Sequence, residues 1–450
     1  MSFFPRIESL QQKVLQLFFF ILPWPSIWMY REVYVDGIKW QYATLGFYAS
    51  EVVLWLFFLL FFTGFIKKFF SLPREERRFS FSFDRIFLST LFLFVVYVLM
   101  SRWWAVDSAI AAQHGLHLLE GVLLFVTLSI SPYSFRQLAS WFLVGMIAPM
   151  LLAIYQFFSQ TTVSSTLLGL AAHPAFEAGT SVVVDAGSRW LRAYGSFAHP
   201  NMFGGFVVLS FFMSSYLLLQ QPKQLSGIQK FFPLGMLIFS IVALIISWSR
   251  SSWIAGALTG VLLLGFFFKT SVFRWQYVFV CVSIPILFFL LLPNLFLTRL
   301  TVGSLHELRS MSERVDGYTN AMTLFQSSPW FGVGIGNYTQ QEALSFRGFP
   351  VWVYQPVHNM FLLALVELGI VGFGIASISF VGYVTYIASR VHKRGLLLFL
   401  FCISPLVPLA VLDHYIVSSY QGLLLAALWL ALVTHSLSTQ EKNEEYLGLK

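Results

Sequence analysis

Several arginine, histidine and asparagine side chains lie near the ends of long apolar segments, where they could act together on a charged substrate. The candidate positions are Arg189, Arg192, Asn201, Arg250, Arg314, His358, Asn359, Asp413 and His414. The planar guanidinium of arginine forms bidentate, charge-assisted hydrogen bonds that suit a diphosphate. Each such bond contributes about 1.5–3 kcal/mol when partly desolvated. Two or three of them would bind a lipid diphosphate and stabilise it as a leaving group.

His358 is the candidate general base. It begins an apolar segment, and the positive end of a helix dipole disfavours the protonated imidazole. A neutral imidazole at neutral pH could accept a proton from an attacking hydroxyl. Each candidate also has a structural explanation: arginines near span ends bind lipid headgroups, and asparagines cap helices. Asp413 and His414 fit a catalytic or a structural role equally well.

Membrane spans are the elements that must position these residues. The chain is 57% hydrophobic and 11% charged, whereas a soluble domain carries about 25% charged residues. Many uncharged runs of roughly 18 residues or more are long enough to cross a bilayer. The sequence predicts an all-α polytopic transmembrane bundle, one domain over residues 1–450. It has about 12 spans, namely 14–30, 46–66, 86–101, 114–131, 137–157, 201–220, 233–249, 252–268, 276–293, 358–380, 395–412 and 418–436. Pro23 and Pro25 interrupt the first, which could lie in the interface instead.

Lysine and arginine in the loops predict the orientation of the bundle. Of the 28 basic residues, 18 fall in one set of loops and termini, and this side is expected to be cytoplasmic. The net charge of +8 therefore indicates orientation and contact with membrane lipids, and it does not indicate nucleic-acid binding. The outer face then carries two sizeable segments, 158–200 and 294–357.

The outer segment 294–357 is too long to be a bare connector, and we expect it to cover an active site. Ser310 and Glu313 fit a capping box. Apolar residues at helical spacing follow them, and these are Val315, Tyr318, Met322 and Phe325. They predict an amphipathic helix over 311–326 that lies against the bundle and ends before Pro329. Glu367, deep in a span, should face the bundle interior.

The sequence indicates neither a metal site nor a cofactor. No Asp-x-Asp pair lies on the predicted outer side, and no cluster of Cys and His occurs. Cys281 and Cys402 both lie within apolar runs and are interpreted as packing residues. The glycines of Gly332-x-Gly334-x-Gly336 have the wrong spacing for a dinucleotide loop and predict an irregular turn.

Four pieces of the chain, in order and on one predicted side, resemble the O-antigen ligase and O-antigen polymerase superfamily. The pieces are Arg192-Ala-Tyr-Gly195-Ser-Phe-Ala-His-Pro200-Asn201, Ser249-Arg250-Ser251, Arg314 through Ala321 to Pro329-x-x-Gly332-x-Gly334, and His358-Asn359 to Glu367-x-Gly369. Together they cover residues 190–372. The first five spans resemble the family only in hydropathy.

The resemblance implies a metal-independent, inverting glycosyltransferase without a cofactor. Its donor would be an undecaprenyl-diphosphate-linked glycan, used at the periplasmic or outer face of the bacterial cytoplasmic membrane. Carried over by position, Arg192 and Arg314 would bind the diphosphate, and His358 would be the general base or position the acceptor. Arg250 would be a supporting cation. The remaining candidate positions would contact substrate, namely Arg189, Asn201, Asn359, Asp413 and His414. His199 and Met360-Phe361 depart from the family pattern and leave the acceptor open.

Three acceptors and two other functions remain open. The acceptor hydroxyl could belong to a lipid-A core sugar, a growing glycan or a protein Ser/Thr side chain. A transporter or flippase of lipid-linked glycans would have ionisable residues at mid-membrane and helix breaks repeated in both halves. A non-catalytic assembly partner would tolerate loss of the arginines.

Overall fold

The computed structural model describes residues 4–71, 83–177, 179–185, 187–221, 227–301 and 305–446. Within these residues the protein is a helical bundle, as predicted. Helix α1 spans Phe4–Ile21. Eleven further segments are long and apolar enough to cross a membrane, and they are α2 (Ala49–Ser71), α3 (Arg85–Met100), α4 (Ser108–Ser129), α5 (Phe135–Ser159), α6 (Pro200–Leu219), α7 (Ile228–Ile246), α8 (Arg250–Phe267), α9 (Arg274–Leu291), α13 (Met360–Arg390), the pair α14 (Lys393–Ile403) and α15 (Leu406–Leu412), and α17 (Tyr420–Tyr446).

The first predicted span, 14–30, is wrong in its bounds. Helix α1 begins ten residues earlier, ends at Ile21 and is not among the described membrane-crossing candidates. The chain turns at Pro23, and residues Ile27–Arg31 form a strand instead. Leu15 and Phe19 are fully buried, because α1 packs against α2 and α5. The bundle therefore has eleven candidate spans in its described part, one fewer than expected.

Helix α6 lies at the centre of the bundle. Every residue of its apolar stretch is buried, and it packs against α5, α7 and α8. Pro200 occupies its first turn, where a missing N–H costs nothing, and His199 caps it. The N-terminus of α6 is therefore fixed inside the protein, close to residues that the sequence analysis selected.

Short antiparallel strands that the sequence analysis did not predict lie within residues 27–48 and 182–191. Strand β1 (Ile27–Arg31) pairs with β4 (Leu45–Tyr48), β2 (Tyr34–Val35) with β3 (Ile38–Lys39), and β5 (Val182–Asp185) with β6 (Ser188–Leu191). Val183 pairs with Trp190, and this β5–β6 hairpin brings the chain to Arg192. Single turns of 3-10 helix occur at Gln41–Ala43, Ser101–Trp103 and Val351–Val353.

The large outer segment is partly helical, as predicted. It contains α10 (Pro293–Leu300), α11 (Leu305–Ser327) and α12 (Tyr338–Ser345), and α16 (Tyr415–Ser418) follows α15. The predicted capping box is wrong, because α11 begins at Leu305 and places Ser310 inside the helix. The predicted apolar face is wrong for Val315, Tyr318 and Met322, which are exposed, and is confirmed for Phe325, which packs beside the buried Ala321 and Leu324.

A break in α13 joins this span to the large outer segment. Gly369 has φ +65° and ψ −176°, which interrupts the helix. The freed backbone groups pair with Pro329–Gly336: Val333 N donates to Val366 O at 3.0 Å, and Ile370 N donates to Pro329 O at 2.9 Å. We call this contact the α13 joint.

Two glycines and one carboxylate make the α13 joint possible. A Cβ on Gly369 would lie 2.4 Å from the Trp330 carbonyl, and one on Gly332 would lie 2.4 Å from the Glu367 carbonyl. Glu367 is buried, as predicted, and its carboxylate accepts hydrogen bonds from the N–H groups of Gly336 (2.9 Å) and Tyr338 (3.3 Å). Gly332, Gly334 and Gly336 all have positive φ, which confirms the irregular turn. Glu367 therefore has a structural role.

Candidate active site

The ends of four helices meet where the candidate residues lie. His199 and Asn201 belong to the N-terminus of α6, and His358 precedes the first residue of α13. Asp413 follows α15, and His414 precedes α16. Asn201 and Asp413 are 212 residues apart in the sequence, and the bundle brings these pieces into one cluster. Asp413 is buried, His358 and His414 are half-buried, and His199 is exposed.

A chain of hydrogen bonds connects Arg192 to Asp413 through Asn201. The guanidinium of Arg192, which is 7% exposed, donates to the Asn201 side-chain oxygen and, at 3.1 Å, to Ser247 O. The Asn201 amide nitrogen donates to the Asp413 carboxylate at 2.6 Å. A single asparagine thus satisfies the cation with its oxygen and the anion with its nitrogen, which fixes both groups.

His199 supports this arrangement and was not among the candidates. Its Nδ1 accepts from Asn201 N at 3.1 Å, and its Nε2 lies 3.2 Å from the Ser181 hydroxyl. Desolvation by the surrounding protein, followed by the nearby Arg192 cation, lowers the pKa of His199, although part of its side chain reaches the surface. His199 is therefore neutral at physiological pH and acts as a helix cap. The sequence showed it only as a departure from the family pattern.

His358 and His414 form an edge-to-face pair. Their ring centroids are 5.2 Å apart at an interplanar angle of 85°, and His414 Nδ1 lies 2.7 Å from the Ser418 hydroxyl. Burial lowers the pKa of His414 to about 4, although Asp413 opposes this effect. Burial also lowers the pKa of His358; Asp413 raises it, and the Arg314 cation lowers it further. Both imidazoles are neutral near pH 7.

Asp413 is the buried anion of the cluster. Burial raises its pKa, but the neighbouring imidazoles of His414 and His358 and the His414 N–H, at 2.9 Å, favour the carboxylate, and the net effect lowers the pKa. Asp413 therefore stays ionised at neutral pH. Its charge offsets the guanidinium of Arg192, to which Asn201 connects it.

The other candidates occupy different surroundings. Arg314, on α11, is half-buried and lies close enough to His358 to affect its pKa. Arg250 begins α8 directly after the turn whose Ser247 carbonyl binds Arg192. Asn359 caps α13 by accepting from Leu362 N at 3.0 Å, which supports its structural explanation.

Arg189 is held away from this cluster. Its guanidinium donates to the carbonyls of Ala175 (2.6 Å) and Glu177 (3.0 Å) within the outer segment. There it lines an open cleft of about 730 Å³ with residues of that segment. A second buried arginine, Arg299, was not selected from the sequence, and its Nε donates to Trp248 O at 2.8 Å.

The cluster combines the immobilised Arg192 cation with neutral imidazoles at one end of the bundle, and the Arg314 cation lies close enough to affect His358. Such a set can bind an anionic group and accept a proton beside it. Among the described residues, one group of three His and Glu side chains is close enough together to share a metal ion. That group lies elsewhere, on α2 and α4.

A family model described as O-antigen ligase matches residues 235–377. This range includes the pieces at Arg250, Arg314 and His358 and the α13 joint, and it leaves out Arg192 and Asp413. Comparison with curated proteins gives no match. Residues 235–377 are therefore similar to an O-antigen ligase domain, which confirms over this range the resemblance drawn from the sequence.

Proposed function

We propose that this chain, with its O-antigen ligase-like region, transfers a glycan from an undecaprenyl-diphosphate-linked donor to a hydroxyl acceptor. The acceptor oxygen attacks the anomeric carbon, the bond between that carbon and the diphosphate oxygen breaks, and the configuration inverts. The acceptor proton passes to His358, and the lipid diphosphate leaves with the electron pair. The residues assigned to this step need no metal ion.

The convergence of Arg192, His358 and Asp413 in one cluster, with Arg192 and Asp413 buried, is the observation that carries this proposal. Arg192 is fixed by Asn201 and Ser247 before any substrate arrives, so little ordering is needed when a phosphate binds. We assign Arg192 and Arg314 to the diphosphate, with Arg250 as a supporting cation. The lowered pKa of His358 supports its role as general base, because it keeps the imidazole able to accept a proton at neutral pH.

We place this site on the outer face of the bacterial cytoplasmic membrane. The helix ends that carry the cluster lie in the loops poorer in lysine and arginine, which are expected outside. The large outer segment reaches the same place, because Arg314 on α11 affects His358. A lipid-linked donor, with its diphosphate at the membrane surface, would meet the cluster there.

Single substitutions test the proposal with a purified donor and a hydroxyl acceptor. Arg192→Ala and His358→Ala should each abolish most transfer, because one removes a diphosphate ligand and the other removes the base. Arg347→Ala and His392→Ala are matched controls, since both side chains are exposed and lie outside the cluster. Wild-type transfer by both cluster variants would defeat the assignment.

A transport assay tests the alternative of a lipid-linked glycan transporter. Proteoliposomes that exchange labelled donor across the bilayer, with no transferred product in the presence of acceptor, would favour that alternative. Product formation that depends on Arg192 and His358, without exchange, would support the transferase.

A further inference from the structure

Two carboxylates and an imidazole meet inside the first half of the bundle, outside the region of the family match. Glu51 lies in the first turn of α2, and His117 and Glu120 lie on α4. Their exposed fractions are 3%, 4% and 0%. One ligand atom from each residue lies within 4.8 Å of the others, and His117 Nε2 is 3.3 Å from a Glu51 carboxylate oxygen.

Neighbouring donors orient this group and leave part of it unpaired. The Tyr48 N–H binds one oxygen of Glu51 at 2.5 Å, and the Trp55 indole N–H binds one oxygen of Glu120 at 2.5 Å. Glu120 Oε2 and His117 Nε2 have no hydrogen-bond partner in the part of the chain that the structure describes. Hydrogen bonds from neighbouring groups hold metal-binding side chains in place and direct their free atoms toward an ion.

Two ionised carboxylates in this buried position would require compensation by positive charge. An ionised carboxylate taken out of water is costly unless a cation or hydrogen bonds offset it. Across the described side chains, neither Glu51 nor Glu120 forms a salt bridge with a lysine or arginine. One divalent cation would neutralise both carboxylates and give the unpaired imidazole nitrogen a partner.

We propose that Glu51, His117 and Glu120 bind a divalent transition-metal ion. Two carboxylates and one imidazole suit Zn²⁺, a borderline ion that accepts both nitrogen and oxygen ligands, or the harder Mn²⁺. The ion would join α2 to α4, so its role is to stabilise the bundle. His117 and Glu120, three apart on one helix face, are the only local signal of this site in the sequence.

Metal binding by the purified, full-length protein tests this proposal without any measurement of transfer. The protein in detergent is stripped with a chelator, dialysed and titrated with Co²⁺ or Zn²⁺. We expect one ion per chain by elemental analysis, a d–d absorption band with Co²⁺ and a melting temperature that rises with ion concentration. Co²⁺ should also quench the fluorescence of Trp55, which contacts Glu120, and a Trp55→Phe variant identifies that contribution.

The isosteric Glu120→Gln variant should bind the ion at least tenfold more weakly and lose the metal-dependent rise in melting temperature. Glu342→Gln is the matched control, since Glu342 is a buried carboxylate outside the group and should retain full binding. If Glu120→Gln does not fold, the wild-type stoichiometry and the quenching of Trp55 decide the question. A wild-type protein that takes up no ion, or a Glu120→Gln variant that binds as tightly as wild type, would overturn the proposal.

Discussion

Asn201 should be the most sensitive positioning residue of the candidate site, although it has no chemistry of its own. An Asn201→Ala substitution removes the acceptor for Arg192 and the donor to Asp413 in one step. A hydrogen bond to a charged group contributes about 1.5–3 kcal/mol. If the loss of Arg192 orientation is felt in the transition state, kcat/KM should fall roughly 10- to 150-fold, at about 1.36 kcal/mol per factor of ten.

The assay is transfer from a purified lipid-diphosphate-linked glycan, with thermal unfolding measured on the same samples. Asn320→Ala is the matched control, because the Asn320 amide also donates to a carboxylate, that of Glu342, at 3.2 Å. That pair lies outside the cluster, so the control should keep wild-type kcat/KM. A folded Asn201→Ala protein with unchanged kcat/KM, or an equal loss in the control, would refute the reasoning.

The remaining predictions concern pH and the break in α13. The pKa of His358 is lowered from 6.5, so the acidic limb of the kcat/KM profile should lie below pH 6.5. Arg314→Gln removes a positive charge that lowers the pKa of His358, so it should move that limb to higher pH. A pH profile of both proteins measures the shift, and superimposable limbs would contradict the proposed base. Gly369→Ala forces a side chain into a positive-φ position and should destabilise the protein by at least about 1–3 kcal/mol, because its Cβ also meets a backbone carbonyl. Gly374→Ala, in open space on the same helix, should not lower the melting temperature, and equal melting curves for the two variants would show that the break carries no strain.

Hydropathy predicted most of the bundle because span length and apolar composition are local properties. The predicted spans 46–66 and 201–220 lie close to α2 and α6. The first span failed because Pro23 ends α1, and the chain beyond it pairs as a strand. A turn signal was present in that region: Asp36-Gly37 has positive φ at both residues and connects β2 to β3.

Most of the residues of the candidate site could be predicted from the sequence, but the contacts between them could not. Arg192, His358 and Asp413 stood out because each charged or titratable group lies at the end of an apolar run. The connection of Asn201 to Asp413 was not predictable, since it joins residues 212 apart and depends on the packing of α6. The apolar face of α11 was mostly assigned wrongly because spacing alone does not show which side of a helix meets the protein.

The α13 joint has a mechanical consequence for turnover. His358 directly precedes the short outer half of α13, and the joint bonds this half to the chain that leaves α11, where Arg314 lies. Ile370, on the other side of the break, bonds to the same chain at Pro329, so the joint connects both halves of α13 to it. The proposed base, His358, and the Arg314 cation should therefore keep their relative positions while a donor binds and leaves.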